Sequence, residues 1–306
     1  MTRIRPKPWL LFTLIGALVA VSVFGVDRYR RRFVRSNAQM VALLPPRGTK
    51  FFVDVAVLRR ANLLSLLSDP KRVEEMDYSR FVHETGFDYA RDADAIAGSV
   101  ESKQMFVVVR GRFHWSDIRQ YAADHGGSCT AHYCKLPASK REYSASLVEI
   151  QPDVLGLALS EDPSAATMLV RRRGMPSEQI PAQPVWVKLS RSLLENPVNL
   201  PLPARILTIT LQSADTVTLA LDRGESADAT FEVHVNAEFP NQAAADTARR
   251  QLEIQTKLFQ LELAREHEQA SASNLSGLFV SGRFQAVGNR LSGSWPVKRE
   301  LLEALR

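Results

Sequence analysis

The stretch PWLLFTLIGALVAVSVFGV, Pro8 to Val26, is 19 residues long and carries no charge. As a helix rising ~1.5 Å per residue it reaches about 28 Å, close to the roughly 30 Å hydrocarbon core of a bilayer. Arg3, Arg5 and Lys7 precede it, and Arg28, Arg30, Arg31, Arg32 and Arg35 follow it. Trp9 sits at one end, where an aromatic ring anchors at a membrane interface. The pattern predicts a transmembrane anchor over 8–26, behind a short basic tail over 1–7 and ahead of a basic juxtamembrane stalk over 27–48. The lipid bilayer is then the first expected partner, with the five arginines of the second flank as a membrane-interface cluster.

The run exceeds the usual h-region of a cleaved signal, and Ala17 and Ala20 are spaced one residue too far for a good cleavage site, which favours a retained anchor. The basic flanks are nearly balanced and do not fix orientation. A basic head, one apolar segment and a long body have the form of an export signal that was kept. The expectation is therefore a single-pass protein with an extracytoplasmic body, periplasmic or at the cell surface. A cytoplasm-facing, membrane-associated interaction protein is the reversed alternative.

Charge beyond the flanks excludes one class. The chain has 39 basic and 33 acidic residues, and residues 1–35 hold eight of the former and one of the latter. The remaining body is nearly neutral, so no global field draws in nucleic acid and none is expected as a partner.

The body reads as α+β: after the anchor, two mostly antiparallel sheet-plus-helix halves over 49–180 and 181–306, resembling in element order a degenerate ferredoxin-like duplication. FFVDVAVL is strand-like, and helical patterns follow in RRANLLSLLSD and over Val73–Glu84. DADAIAGSV and KQMFVVVRGRF read as two strands. SDIRQYAADHG is helical, with Ser116 as its N-cap and Gly126 as its C-cap. SASLVEI and VLGLALS form a hairpin around QPD, and SAATMLVRRR is a helix. GMPSEQIPAQPV, with three prolines, is the internal break. Beyond it VWVKLS, RILTITLQSA, TVTLALDR and TFEVHVNAEF read as strands, SGLFVSGRFQAVGNRLSGSWPV as a hairpin and KRELLEALR as a closing helix. Both halves end a strand in a small-charged-Phe step, GRF and AEF, shortly before a helix.

The two cysteines, Cys129 and Cys134, lie in HGGSCTAHYC with His125 and His132. Four ligand-type residues on one short path do not match the paired spacing of a zinc site, and no CxxC occurs. On a single extended strand the two thiols face opposite ways, so a turn is required before they can bond. A disulfide closing that turn and two free thiols both remain open. The other histidines are scattered. Gly-x-Ser-x-Gly, the Walker loop, GxGxxG and His-Glu-x-x-His are all absent, so no catalytic residue, metal ligand or cofactor is assigned. Asp88, Asp92 and Asp94 lack the spacing of a calcium loop and read as a solvated turn.

The region 241–270 is the longest helical pattern, capped by Asn241. Leu252, Phe259 and Leu263 fall near one face, and Ile254, Leu258 and Leu261 on a second. The width suits a helix across a sheet, and part of it is a candidate protein-partner surface. The function these readings favour is a membrane-anchored extracytoplasmic domain for binding, scaffolding or envelope assembly. The alternative of a different class is a membrane-anchored hydrolase with its site between the halves.

Overall fold

The structure, a computed structural model, describes residues 34–64, 75–101, 103–138, 142–176, 179–196, 202–223, 231–265 and 280–297. Its centre is one 12-stranded sheet in the order β11-β12-β10-β9-β8-β1-β2-β3-β7-β6-β5-β4. The strands are β1 (Thr49–Val53), β2 (Ala93–Glu101), β3 (Gln104–Gly111), β4 (Ser128–Cys129), β5 (Tyr133–Pro137), β6 (Ser144–Gln151) and β7 (Val154–Ser160), then β8 (Val185–Leu189), β9 (Thr216–Arg223), β10 (Phe231–Glu238), β11 (Arg283–Val287) and β12 (Arg290–Val297). Every strand pair is antiparallel.

This corrects the expectation of two separate ferredoxin-like halves. Split βαβ units bring parallel strands together across a crossover, and none of these pairs is parallel. Instead β1–β7 and β8–β12 fill contiguous runs of one sheet and meet where β1 pairs with β8, Phe52 opposite Trp186. Outward from that seam the order is β1-β2-β3-β7-β6 on one side and β8-β9-β10-β12-β11 on the other, so strand, hairpin, helix, hairpin recurs in each run.

Period-2 alternation divides the side chains between two faces. On the first face, Phe52, Val108, Val148 and Ala158 pack under α1 (Asn37–Leu43) and under Leu169 of α6 (Thr167–Arg171), forming the main core. Ser36 and Gln39 make a reciprocal capping box that starts α1. Where this face continues onto β10–β12 it turns polar: His234, Asn236, Ser292 and Ser294 lie there, with Asn236 and Ser292 exposed.

On the second face, over β9–β12, lie α7 (Arg191–Glu195), α8 (Leu202–Thr210) and α9 (Gln242–Arg265), with Leu194, Leu211, Ala245, Ala248 and Leu252 packed against Val235, Leu291 and Trp295. Over β3 and β5–β7 the same face is covered by α3 (Glu75–Thr85) and α5 (Trp115–Asp124). Two short helices complete the description, α2 (Val55–Arg60) and α4 (Tyr89–Asp92).

The transmembrane expectation is also corrected. Among the described residues no helix is long and apolar enough to cross a membrane, and 8–26 itself lies outside them. The longest helix, α9, is interrupted by charge throughout, from Asp246 and Arg249 to Glu262 and Arg265. Lipid-bilayer partnership through 8–26, the anchored extracytoplasmic location and the three membrane-linked functions therefore draw no support from the described residues. The closing helix KRELLEALR falls outside the described residues as well.

Local differences have simple causes. The strand expected over Phe51–Leu58 stops at Val53, because the Asp54 carboxylate accepts a hydrogen bond from the Val57 N–H at 2.9 Å and caps α2. RILTITLQSA was expected as a strand from its β-branched residues, but Leu202–Thr210 is helical. There Leu211 enters the core and Thr210 accepts a hydrogen bond from Gln255 of α9 at 2.9 Å, so tertiary packing overrides propensity. Ser116 does not cap α5. His114 stands at that position without a side-chain capping bond among the described residues, and Ser116 donates to Asp117 at 3.0 Å. Gly126 does follow the helix end at φ +75°, and Gly288 at φ +59° takes the first central position of the two-residue β11–β12 loop.

A candidate ligand-binding cavity

On the second face, β3 and β7 are apolar where the opposite face is also apolar. Met105 pairs with Leu159 and Val109 with Leu155, while the intervening Phe106 and Val108 point into the main core. A strand that is apolar on both sides belongs to a sheet covered on both sides. The cover on the second face is incomplete. Between α3, α5 and β2–β7 it leaves a cavity of about 800 Å³, lined by side chains that include Met105, Ile118, Leu147, Leu155, Leu157 and Leu159.

One end of the cavity is aromatic. Phe81 of α3 meets Tyr121 of α5 edge-on with centroids 5.2 Å apart, and Phe87 stacks on Phe113 at 4.8 Å. Asp92 holds both phenylalanines in place through their neighbours. Its carboxylate accepts from the Asp88 N–H at 3.0 Å, next to Phe87, and from Arg112 at 3.0 Å, next to Phe113; Arg91 adds a third contact at 2.7 Å. The Arg91 hydrogen bond is the largest influence that holds the Asp92 carboxyl down at about 2, from an ordinary 3.8.

A folded-state value below the unfolded one means that Asp92 supports the fold above the unfolded value and loses that support as pH falls through the folded value. The expected result is that Asp92→Asn lowers Tm at neutral pH and flattens the fall in Tm between about pH 4 and pH 2 relative to the native protein. A parallel acid limb in the variant would remove Asp92 from acid stability.

The other end opens at the β2–β3 turn. Lys103, Gln104 and Tyr143 line it, with Val100 exposed beside them. Lys103 donates to Glu161 at 2.8 Å across this end, and that pairing raises the lysine's pKa.

A third wall comes from the cysteine hairpin. Cys129 ends β4 and stands directly opposite Cys134 in β5, with the turn between them that a bond requires. They form a disulfide with Cα atoms 4.1 Å apart. Cys134 is fully buried with Ile118, Ala122 and Leu147, so the bridge backs two residues, Ile118 and Leu147, that line the cavity.

The remaining sequence candidates are dispersed. Arg28, Arg30, Arg31 and Arg32 lie outside the described residues, and Arg35 is exposed just ahead of α1. His125 stacks on Tyr121 at 4.2 Å, and His132 contacts Glu149 at 2.8 Å. Among the described residues no three His, Cys, Asp or Glu side chains are placed to hold a metal. Asp88 caps α4, and Asp94 faces Arg59 at 3.9 Å.

The hydrolase site expected between the halves does not coincide with the cavity found among the described residues. The halves join edge to edge through β1 and β8, and the cavity sits within the first run. Of the region 241–270 expected to combine core packing with a protein-partner surface, residues 242–265 are described, and they show the packing role without confirming a partner. The Ala245, Ala248 and Leu252 face of α9 lies on the sheet, while Ile254, Leu258 and Leu261 are exposed. The cavity itself had a signal in the sequence: MFVVV and VLGLAL are apolar at consecutive positions, which a one-sided sheet does not need.

The class that fold and cavity define is therefore an α+β domain with a large antiparallel sheet and an apolar chamber under two helices. No known protein family matches the chain, and no curated protein matches it significantly. Among solved structures it is similar to crystal form I of TP0453, at 14% identity and a TM-score of 0.46, covering 89% of this chain and 98% of that one. Form IV gives 12%, 0.44, 87% and 95%, and form III 12%, 0.45, 87% and 96%, in the same order.

Proposed function

We propose that this protein binds an elongated apolar small molecule in the cavity beneath α3 and α5. The observation that carries the reading is the chamber of about 800 Å³, walled by aliphatic and aromatic side chains. Ligand sites commonly span roughly 300–1,000 Å³ with mainly apolar linings. Walls of this kind forgo dispersion contacts that an apolar guest restores. The chamber runs from the Lys103 end to the aromatic end along β3 and β7, a shape that suits an alkyl chain better than a compact solute.

The test is titration with Nile red, a neutral apolar dye, followed by fluorescence. Saturable binding is expected. Ala145→Trp, which places an indole in the cavity, is expected to weaken it by about tenfold or more, equivalent to roughly 1.4 kcal/mol. Met105→Trp is a second filling variant if the first fails to fold, with far-UV circular dichroism as the check. Binding that two folded, cavity-filled variants leave unchanged would refute the reading.

A further inference from the structure

We infer, resting on the cavity reading above, that the ligand is a single-chain amphiphile with an anionic head group, and that Lys103 selects the head. Among the described residues that line the chamber, Lys103 carries the only formal charge, and it stands at the solvent-open end. The opposite end is lined by Phe81, Phe87 and Phe113, whose rings contact one another, and it carries no charge. A guest whose tail fills the chamber therefore presents its head at Lys103.

An ammonium has three N–H donors, and Glu161 takes one of them at 2.8 Å. Both side chains of that pair are largely exposed, 70% for Lys103 and 54% for Glu161. An exposed pair of this kind is weak, and a released glutamate rehydrates at little cost. Glu161 thus occupies the lysine as a carboxylate that another anion can replace, and the exchange keeps the ammonium paired throughout. Glu101 and Glu142 are exposed near this end but do not line the chamber. Their charge opposes an incoming anion and holds the selectivity to a modest factor.

The shared chemistry is a monoanionic or dianionic oxygen head on an alkyl tail, which a carboxylate or a phosphate ester both supply. The experiment measures displacement of Nile red from the full chain by hexadecanoate, hexadecyl phosphate, hexadecanol and hexadecylamine, each below its aggregation limit. Both anions are expected to bind about fivefold more tightly than the alcohol, and the amine more weakly than the anions. Tighter binding of the phosphate than the carboxylate assigns the head as a phosphate ester, and the reverse assigns it as a carboxylate.

Lys103→Gln is expected to remove the preference while leaving hexadecanol unchanged. Glu161→Gln is expected to increase it, because the competing carboxylate is gone. A purely structural role for the pair predicts that both variants move together, so opposite shifts distinguish selection from support. Equal affinity for hexadecanol and the two anions in the native protein overturns the head-group inference and leaves the apolar cavity standing. Displacement by none of the four chains, with dye binding also absent, overturns the cavity reading itself.

Discussion

Trp186→Ala is expected to destabilise the protein by about 3–5 kcal/mol, the range for truncating a buried aromatic to alanine. Trp186 is 2% exposed and stacks on Phe52 with ring centroids 5.9 Å apart, directly across the β1–β8 pair. That pair is the seam between the two runs of the sheet, so the loss falls where it couples them. Among the described residues the buried indole Nε1 has no hydrogen-bond partner. Trp186→Phe removes that orphan donor while keeping most of the ring, and its cost is expected to stay below about 1.5 kcal/mol. Urea unfolding measured for both variants gives the comparison. Equal losses would mean that the polar orphan is satisfied in solution, and a small loss for alanine would mean that the seam does not depend on the stack.

The second large effect concerns the cysteine hairpin. Cys129→Ala/Cys134→Ala is expected to cost about 2 kcal/mol, since the bridge closes a short loop. For a domain of this size that is a fall in Tm of about 4–8 °C. Reduction of the native protein with dithiothreitol is expected to give the same fall, because the sulfurs pack among Ile118, Ala122 and Leu147 in either form. An unchanged Tm on verified reduction would show that packing alone holds the hairpin.

The sheet was legible in the sequence where local and tertiary preferences agree. SASLVEI and VLGLALS flank Pro152–Asp153 as a hairpin, and they are β6 and β7, paired with one register shift between Glu149 and Gln151. The AVGNR turn and its two strands are likewise a hairpin. Legibility failed where the two preferences conflict. Ile206, Thr208, Ile209 and Thr210 favour a strand intrinsically, yet they belong to a helix whose following residue, Leu211, is buried under α9. Sheet order was out of reach, because adjacency of β1 to β8 depends on contacts more than a hundred residues apart, such as Thr49 to Ser190 at 3.1 Å.

The cysteine pair was limited to two outcomes by spacing alone, and the turn over Thr130–His132 decides between them. The cavity was legible only as apolar runs in β3 and β7, for a different reason. Its walls are drawn from five strands and two helices, and no single window of sequence contains more than a strip of it.

The borders of the sheet carry a last consequence. On one side it ends in β4, two residues pinned to its neighbour by the disulfide. On the other it ends in β11, five residues with Arg283 exposed at its start and α9 lying over it. Short, pinned or charged outer strands make poor templates for further strand addition. Among the described residues, an assembly of twelve strands is thus bounded by two short outer strands, and whatever discourages it from recruiting copies of itself rests on a few border residues rather than on the many in its interior.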